Sequence, residues 1–239
     1  MAAMPRCAYW PSEATLSGAE NSASNAWDAV AATDPYLGSL GNPRYAGLRL
    51  SRADRAHFFD SGAGDVAHVL ALMRAHYAPP ARFAHALDFG CGAGRWLRAM
   101  EPHCERLTGV DVSRAMLRTA RRNTRAELSP DIPDGAYDWI NSFLTFPHIL
   151  PARGLELLDR LLSVAAPDAV LSVHIGLSVP SPRPEASGPS ALFASDLPAW
   201  LARLGGAGFS TVVTEYLDFG HYQGARLVTA RGAYREAAG

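Results

Sequence analysis

Between residues 83 and 229 the chain alternates short apolar runs with amphipathic stretches, and this alternation restricts the fold more than any other feature. Residues 83–89, 107–112, 137–143 and 169–175 have the length and the β-branched or aromatic content of buried strands. Helical spacing separates them. Residues 95–100 open a short helix, Ser113 can cap another running to about residue 125, and 154–164 place Leu155, Leu158, Leu161 and Leu162 on one face. Strands joined by helices make a mostly parallel sheet with helices on both faces. After a helix at 197–204, closed by Gly205-Gly206, two more strands at 209–217 and 225–229 are joined by a short loop. That pair predicts an antiparallel edge. The fold class expected is therefore α/β, a doubly wound, mostly parallel sheet with an antiparallel edge pair.

The flanking segments differ in character. Residues 1–24 are rich in Ala, Ser, Pro and Gly and are expected to be poorly ordered. Residues 25–64 carry Trp27, Tyr36, Tyr45, Phe58 and Phe59 between turn signals such as Asp34-Pro35 and Asn42-Pro43, and read as a small helical cap. Residues 65–239 are expected to form the main domain. It opens with a helix at 65–77, where Val66, Val69, Leu70 and Met73 share a face before Pro79-Pro80. A Pro/Ser-rich stretch at 178–190 reads as a long loop.

In doubly wound sheets ligands bind beyond the carboxyl ends of the strands. The first such loop is Asp88-Phe89-Gly90-Cys91-Gly92-Ala93-Gly94-Arg95. Glycine there lets the backbone adopt positive φ and approach a ligand with no Cβ in the way. Dinucleotide folds space these glycines as GxGxxG; here the third comes one residue early, which argues against a nicotinamide dehydrogenase. Taken alone, the loop also fits a plain tight turn. Asp111 ends the next strand, where it can accept from vicinal ribose hydroxyls or simply favour a helix N-terminus. Asp88 can receive an ammonium or hold the loop's own amides.

The segment from Leu87 to Arg95 resembles motif I of the class I S-adenosylmethionine-dependent methyltransferases, and Gly109 to Leu117 resembles that family's second motif. Tyr137 to Ile149 is similar to its fourth-strand segment, in which a His often follows. The resemblance covers about residues 65–230 and implies a Rossmann-like fold with S-adenosyl-L-methionine as cofactor. It implies that Gly90, Gly92 and Gly94 approach the methionyl part, Asp88 lies near its amino group and Asp111 binds the ribose. Val112 and Met116 would pack on adenine, and Asn141 or Ser142 would meet the methionyl end. One departure is evident. Only a short segment separates Asp111 from Asp138, so the third-strand region is shortened, with Asp131 as its sole stand-in acid. Segment 27–62 resembles caps of bacterial members found in glycan or natural-product pathways.

Methyl transfer to a hydroxyl benefits from a base, and histidine titrates near neutral pH. His148 stands at the family's frequently functional position, and His174 lies near the end of the fifth strand; both are candidate catalytic residues. Trp27, Tyr36, Phe58, His221 and Tyr222 are candidates for the substrate side. Each also has a structural reading, as cap, core or solvent-facing residue.

Composition trims the alternatives. All 22 basic residues are arginine, so Schiff-base chemistry, a Walker A lysine and the lysine-dependent ribose 2′-O-methyltransferase arrangement are excluded. The formal net charge of −1 gives no global pull toward nucleic acid or anionic membrane, and neither is expected as a partner. The run Arg114, Arg118, Arg121, Arg122 and Arg125 reads as a solvated helix face. Cys7, Cys91 and Cys104 lack metal-ligand spacing, so no metal site is expected. With no signal-like leader and no long apolar run, a cytoplasmic setting is expected. The leading expectation is O-methylation of a small molecule or saccharide. An N-methyltransferase acting on a small amine and an inactive, cofactor-binding partner protein remain open.

Overall fold

The computed structural model describes residues 19–178 and 191–231. The N-terminal eighteen residues and most of the Pro/Ser-rich loop expected at 178–190 lie outside the described residues. Seven strands form one sheet in the order β3-β2-β1-β4-β5-β7-β6. They are β1 (Phe83–Phe89), β2 (Cys104–Val110), β3 (Glu127–Ser129), β4 (Tyr137–Ser142), β5 (Ala165–Ser178), β6 (Phe209–Asp218) and β7 (Gln223–Arg231). The first five are parallel; β7 is antiparallel to both β5 and β6. The expected edge pair thus sits beside β5, with β7 inside and β6 at the rim.

Among the described residues seven α-helices accompany the sheet: α1 (Ala19–Thr33), α2 (Pro35–Leu40), α3 (Arg52–His76), α4 (Arg95–Met100), α5 (Arg114–Ala120), α6 (Pro151–Ser163) and α7 (Leu197–Gly206). Alternation along the strands divides the core in two. Leu171, Val173 and Ile175 of β5 face α6 and α7 and pack with Leu158, Leu161 and Trp200. Val170 faces the other way and packs with Trp139, Val228 and the α3 side chains Val66, Val69 and Met73. This is the period-2 alternation of a sheet covered on both faces.

Three sequence expectations are adjusted. The helix expected from residue 65 begins at Arg52, capped by Ser51, whose hydroxyl accepts from Asp54 N at 3.1 Å. The boundary drawn after residue 64 therefore falls inside one continuous helix. Gly62 and Gly64 weaken the helical signal there, yet Gly62 is what lets α3 approach α4: a Cβ would meet the Arg95 carbonyl oxygen at 2.7 Å. Next, α5 stops at Ala120 rather than near residue 125, where Asn123 turns back to donate to the Ala93 carbonyl at 2.9 Å. Third, the shortened third strand is present as three residues paired in parallel with β2.

Candidate functional site

The strand order reverses between β1 and β4, because β1 leads out to β2 and β3 whereas β4 leads to β5. Such a switch point leaves a crevice at the strand ends. The glycine loop lies there. Gly90 and Gly92 have φ of +78° and +51°, and both are crowded. A Cβ on Gly90 would collide with the Thr145 hydroxyl, and one on Gly92 would lie 2.6 Å from Ser39 Oγ. Gly90 N and Cys91 N both donate to the Val110 carbonyl, which fastens the loop to the end of β2.

Two carboxylates flank this loop. Asp88 is buried at the end of β1, and its Oδ1 accepts from Asn141 Nδ2 at 2.8 Å. Asn141 Oδ1 accepts from Ser172 Oγ at 2.8 Å, and Ser172 Oγ accepts from Trp139 Nε1 at 3.0 Å. Burial pushes the Asp88 carboxyl up to about 7, against the lowering effect of Asn141 and the Arg95 guanidinium. Asp111 accepts from Gly92 N and from Ser113 N, each at 2.9 Å. Burial raises it to about 6, again against those hydrogen bonds.

These contacts test whether the loop suits a cofactor that brings an ammonium and a ribose. An ionised carboxylate has about four acceptor positions. Asp88 uses one among the described residues, and Asp111 uses two. Both retain acceptor capacity; of the loop between them Gly90 is partly exposed, whereas Cys91, Gly92, Ala93 and Gly94 are buried, with Thr145 and Ser39 close against the glycines. The donor and acceptor set fits. Val112 is exposed, while Asn141 and Ser142 are buried beneath the loop, and the Ser142 hydroxyl has no hydrogen-bond partner among the described residues. Gly94, in left-handed conformation, starts α4. Asp131, two residues beyond β3, is exposed.

The N-terminal helices dock on this same edge. Asp28 accepts from Ser113 Oγ at 2.6 Å and from Ala115 N at 2.9 Å, capping α5 from outside. Ser39 Oγ accepts from Ala93 N at 2.9 Å. Met116 packs against Val30 and Ala31 of α1. Its expected adenine contact is corrected accordingly, since α1 covers that side chain. Tyr36 and Phe58 are also reassigned from the substrate side. They pack with Tyr45, Phe59 and Ala93 in a small cap core, with Tyr36 and Phe58 rings edge to face at 5.2 Å.

The histidines separate by environment. His148 ends the 3-10 turn Phe146–His148 after β4. Its Nδ1 lies 3.0 Å from the Ala191 carbonyl oxygen, which can only accept, so Nδ1 carries the proton and Nε2 is the basic nitrogen of the neutral ring. Trp27 meets this ring edge to face at 5.5 Å. His174 is wholly buried, and its Nδ1 accepts from Leu144 N at 3.2 Å. The proton therefore sits on Nε2, which has no hydrogen-bond partner among the described residues. Burial, aided by Arg226, pulls its pKa down to about 3. His174 is corrected from base to buried donor, because the nitrogen that could take a proton is already occupied. Tyr222 is buried beside it and stacks on Phe219 at 4.6 Å, whereas His221 is exposed, with Nδ1 on the Phe219 carbonyl.

Sequence reasoning did not find Asp28, Ser39 or Thr145. It also missed two buried arginines paired with partly exposed carboxylates. Arg95 pairs with Asp65 at 2.7 Å, Arg226 pairs with Glu215 at 2.7 Å, and Glu215 also meets His68. Both arginines lie over the Phe143 ring, at 5.7 and 4.9 Å. An arginine inside the glycine motif was the one available signal; its partner thirty residues earlier was not.

Residues 86–168 match a family model described as a methyltransferase domain. A search of curated proteins finds no match. Solved structures that superpose on the chain include magnesium protoporphyrin IX methyltransferase from Synechocystis PCC 6803 with bound SAH. That pair is 15% identical with a TM-score of 0.64, covering 89% of this chain and 99% of the other. A SAM-dependent methyltransferase from Leishmania major is 17% identical with a TM-score of 0.60, covering 88% and 82%. The 1,6-didemethyltoxoflavin-N1-methyltransferase of Burkholderia thailandensis, with bound substrate and S-adenosylhomocysteine, is 17% identical with a TM-score of 0.52, covering 74% and 79%. At these identities the likeness is one of fold. Among the described residues no helix is long and apolar enough to cross a membrane, and no cluster of His, Cys, Asp or Glu could hold a metal ion.

Proposed function

We propose that this chain, whose residues 86–168 match a methyltransferase-domain model, is a class I S-adenosylmethionine-dependent enzyme that methylates a hydroxyl of a small molecule or saccharide, with His148 as general base. The observation that carries the reading is the His148 tautomer. A backbone carbonyl holds the proton on Nδ1, so Nε2 is the nitrogen that can accept one, just past the end of β4.

S-adenosyl-L-methionine, when bound, supplies a methyl carbon already activated on a sulfonium. The chain's own residues then position and protect. Asp88 would hold the methionyl ammonium with the oxygen not engaged by Asn141. Asp111 would hold the ribose hydroxyls with the acceptor positions left beside Gly92 N and Ser113 N. Gly90, Gly92 and Gly94 would let the methionyl part approach the backbone, with the backbone at Asn141 and Ser142 beside it. Val112 would lie against adenine. Trp27, packed on His148, would keep water from the reacting hydroxyl, and Tyr222 would form part of the acceptor wall. Orientation of this kind lowers a barrier by about 7–11 kcal/mol, and a positioned base adds about 10²–10⁴-fold.

The test is calorimetry with S-adenosylhomocysteine, followed by turnover on a panel of hydroxylated natural products and sugars. His148→Ala should leave the calorimetric affinity within about twofold and cut turnover by about 10²-fold or more. Equal turnover in the variant would remove His148 as base. Absence of binding to the wild-type protein would remove the cofactor assignment.

A further inference from the structure

The arginine run that reads as a solvated face takes on another meaning once α3, α4 and the end of α5 are brought together. Two adjoining crevices, of about 440 and 240 Å³, share Arg98. The larger is also lined by Arg122 and Arg125, the smaller by Arg52 and Arg55. Against these five arginines stand only Asp60 and Glu101, a local surplus of three positive charges in a chain whose formal net charge is −1. Glu101 is already engaged, its Oε1 accepting from Thr124 Oγ1 and from Arg125 N, both at 2.6 Å.

Charge surplus alone describes many surfaces. Two further observations distinguish this one. First, the guanidiniums are partly ordered before any ligand arrives. Arg98 lies over the Phe59 ring at 4.6 Å and Arg55 over the same ring at 5.4 Å. Arg55 also donates to Asn123 Oδ1 at 2.6 Å. Pre-ordered guanidiniums lose less entropy on binding and keep their forked donors for a planar or tetrahedral oxyanion. Second, the arginines are not accounted for by internal partners. Arg98 lies in the last turn of α4, and Arg122 and Arg125 lie just past α5, where a cation can serve the helix dipole. Yet Arg52, Arg98, Arg122 and Arg125 make no ion pair and give no side-chain hydrogen bond among the described residues. Their donors face solvent across a crevice large enough for a small ligand.

We propose that this crevice is a binding site for a small molecule bearing a diphosphate, separate from the methyl-transfer site and independent of its assignment. Arg98 is central because it belongs to both crevices, so it can bridge adjacent phosphates while Arg122 and Arg52 contact them from either side. The reading requires at least two joined phosphates; one phosphate would leave half of the arginines without a partner.

The experiment is isothermal calorimetry on the full chain with inorganic pyrophosphate, ADP and adenosine as separate probes. With the cofactor crevice saturated by S-adenosylhomocysteine, pyrophosphate and ADP should bind and adenosine should not. ADP tighter than pyrophosphate would add a seat for the nucleoside, and equal affinities would confine recognition to the diphosphate; both support the site. Arg98→Ala with Arg122→Ala should weaken pyrophosphate by about tenfold or more, at an unchanged unfolding midpoint. Arg122→Ala alone, at an exposed position, should give a smaller loss and serves if the double variant fails to fold. No binding of either phosphate probe, or equal binding by the variants, would overturn the proposal. Binding of a single-stranded oligonucleotide with none of pyrophosphate would also overturn it, in favour of a nucleic-acid surface.

Discussion

In its proposed role beside the cofactor ammonium, Asp88 would make cofactor affinity depend on pH in a direction that can be worked out. Its carboxyl is held near 7 by burial, so a substantial fraction is neutral at physiological pH in the free protein. A ligand ammonium favours the ionised form. Affinity for S-adenosylhomocysteine should therefore be full above pH 7 and be lost as pH falls through 7. At pH 6 the ionised fraction of such a group is about one tenth, which makes binding about tenfold weaker than on the plateau. Asp111, near 6, should steepen the fall below that pH. Asn141→Leu then tests the cause. It removes the donor that holds Asp88 ionised while roughly keeping the side-chain volume. A hydrogen bond to a charged group contributes about 1.5–3 kcal/mol, or about one to two pH units. The descending limb should move up by that amount, with the high-pH plateau largely kept. Calorimetry from pH 5.5 to 9 reads both quantities. A flat profile in the wild type would refute the ammonium role of Asp88; a limb unmoved by Asn141→Leu would refute the network as the source of its state.

Other consequences concern backbone and burial. Gly64→Ala, in an open stretch of α3, should stabilise the protein by about 1 kcal/mol through helix propensity, whereas Gly62→Ala should lose about 1–2 kcal/mol net because its Cβ meets the Arg95 carbonyl; urea unfolding compares them. Gly90→Ala combines a φ of +78° with the Thr145 hydroxyl and should weaken S-adenosylhomocysteine binding by about tenfold or more in calorimetry. His174 has a folded pKa near 3, below that of the unfolded chain, so the unfolded state binds more protons and stability is lost as pH falls from about 6.5 toward 3. His174→Phe should flatten that limb in unfolding midpoints measured between pH 4 and 7, and an unchanged slope would contradict the burial of a neutral ring.

Much of the fold was legible because its signals are local. The strand runs and the leucine face of α6 obey simple periods, and the three glycines follow β1 directly. The extent of α3 was not legible, since Gly62 reads as a helix breaker until the packing against α4 shows why it is there. The histidines show the same limit. The sequence places His148 after the fourth strand and His174 near the end of the fifth, and offers both as bases. Only the partners of their Nδ1 atoms, a carbonyl oxygen for one and an amide for the other, make one ring basic at Nε2 and the other a donor.

By itself the sequence determined the kind of sheet, the position of the glycine loop at the strand ends and the exclusion of lysine chemistry, because period, glycine placement and side-chain inventory are properties of short segments. Tertiary structure alone decided which groups share that crevice. Asp28 and Ser39 reach α5 and the glycine loop from the cap, Arg95 finds Asp65, and Arg226 finds Glu215. It also decided that arginines from α3, α4 and the end of α5 line one pair of crevices. The physical reason is distance along the chain. Hydrogen bonds and charges act over a few ångströms, and only folding brings residues tens to more than a hundred positions apart within that range.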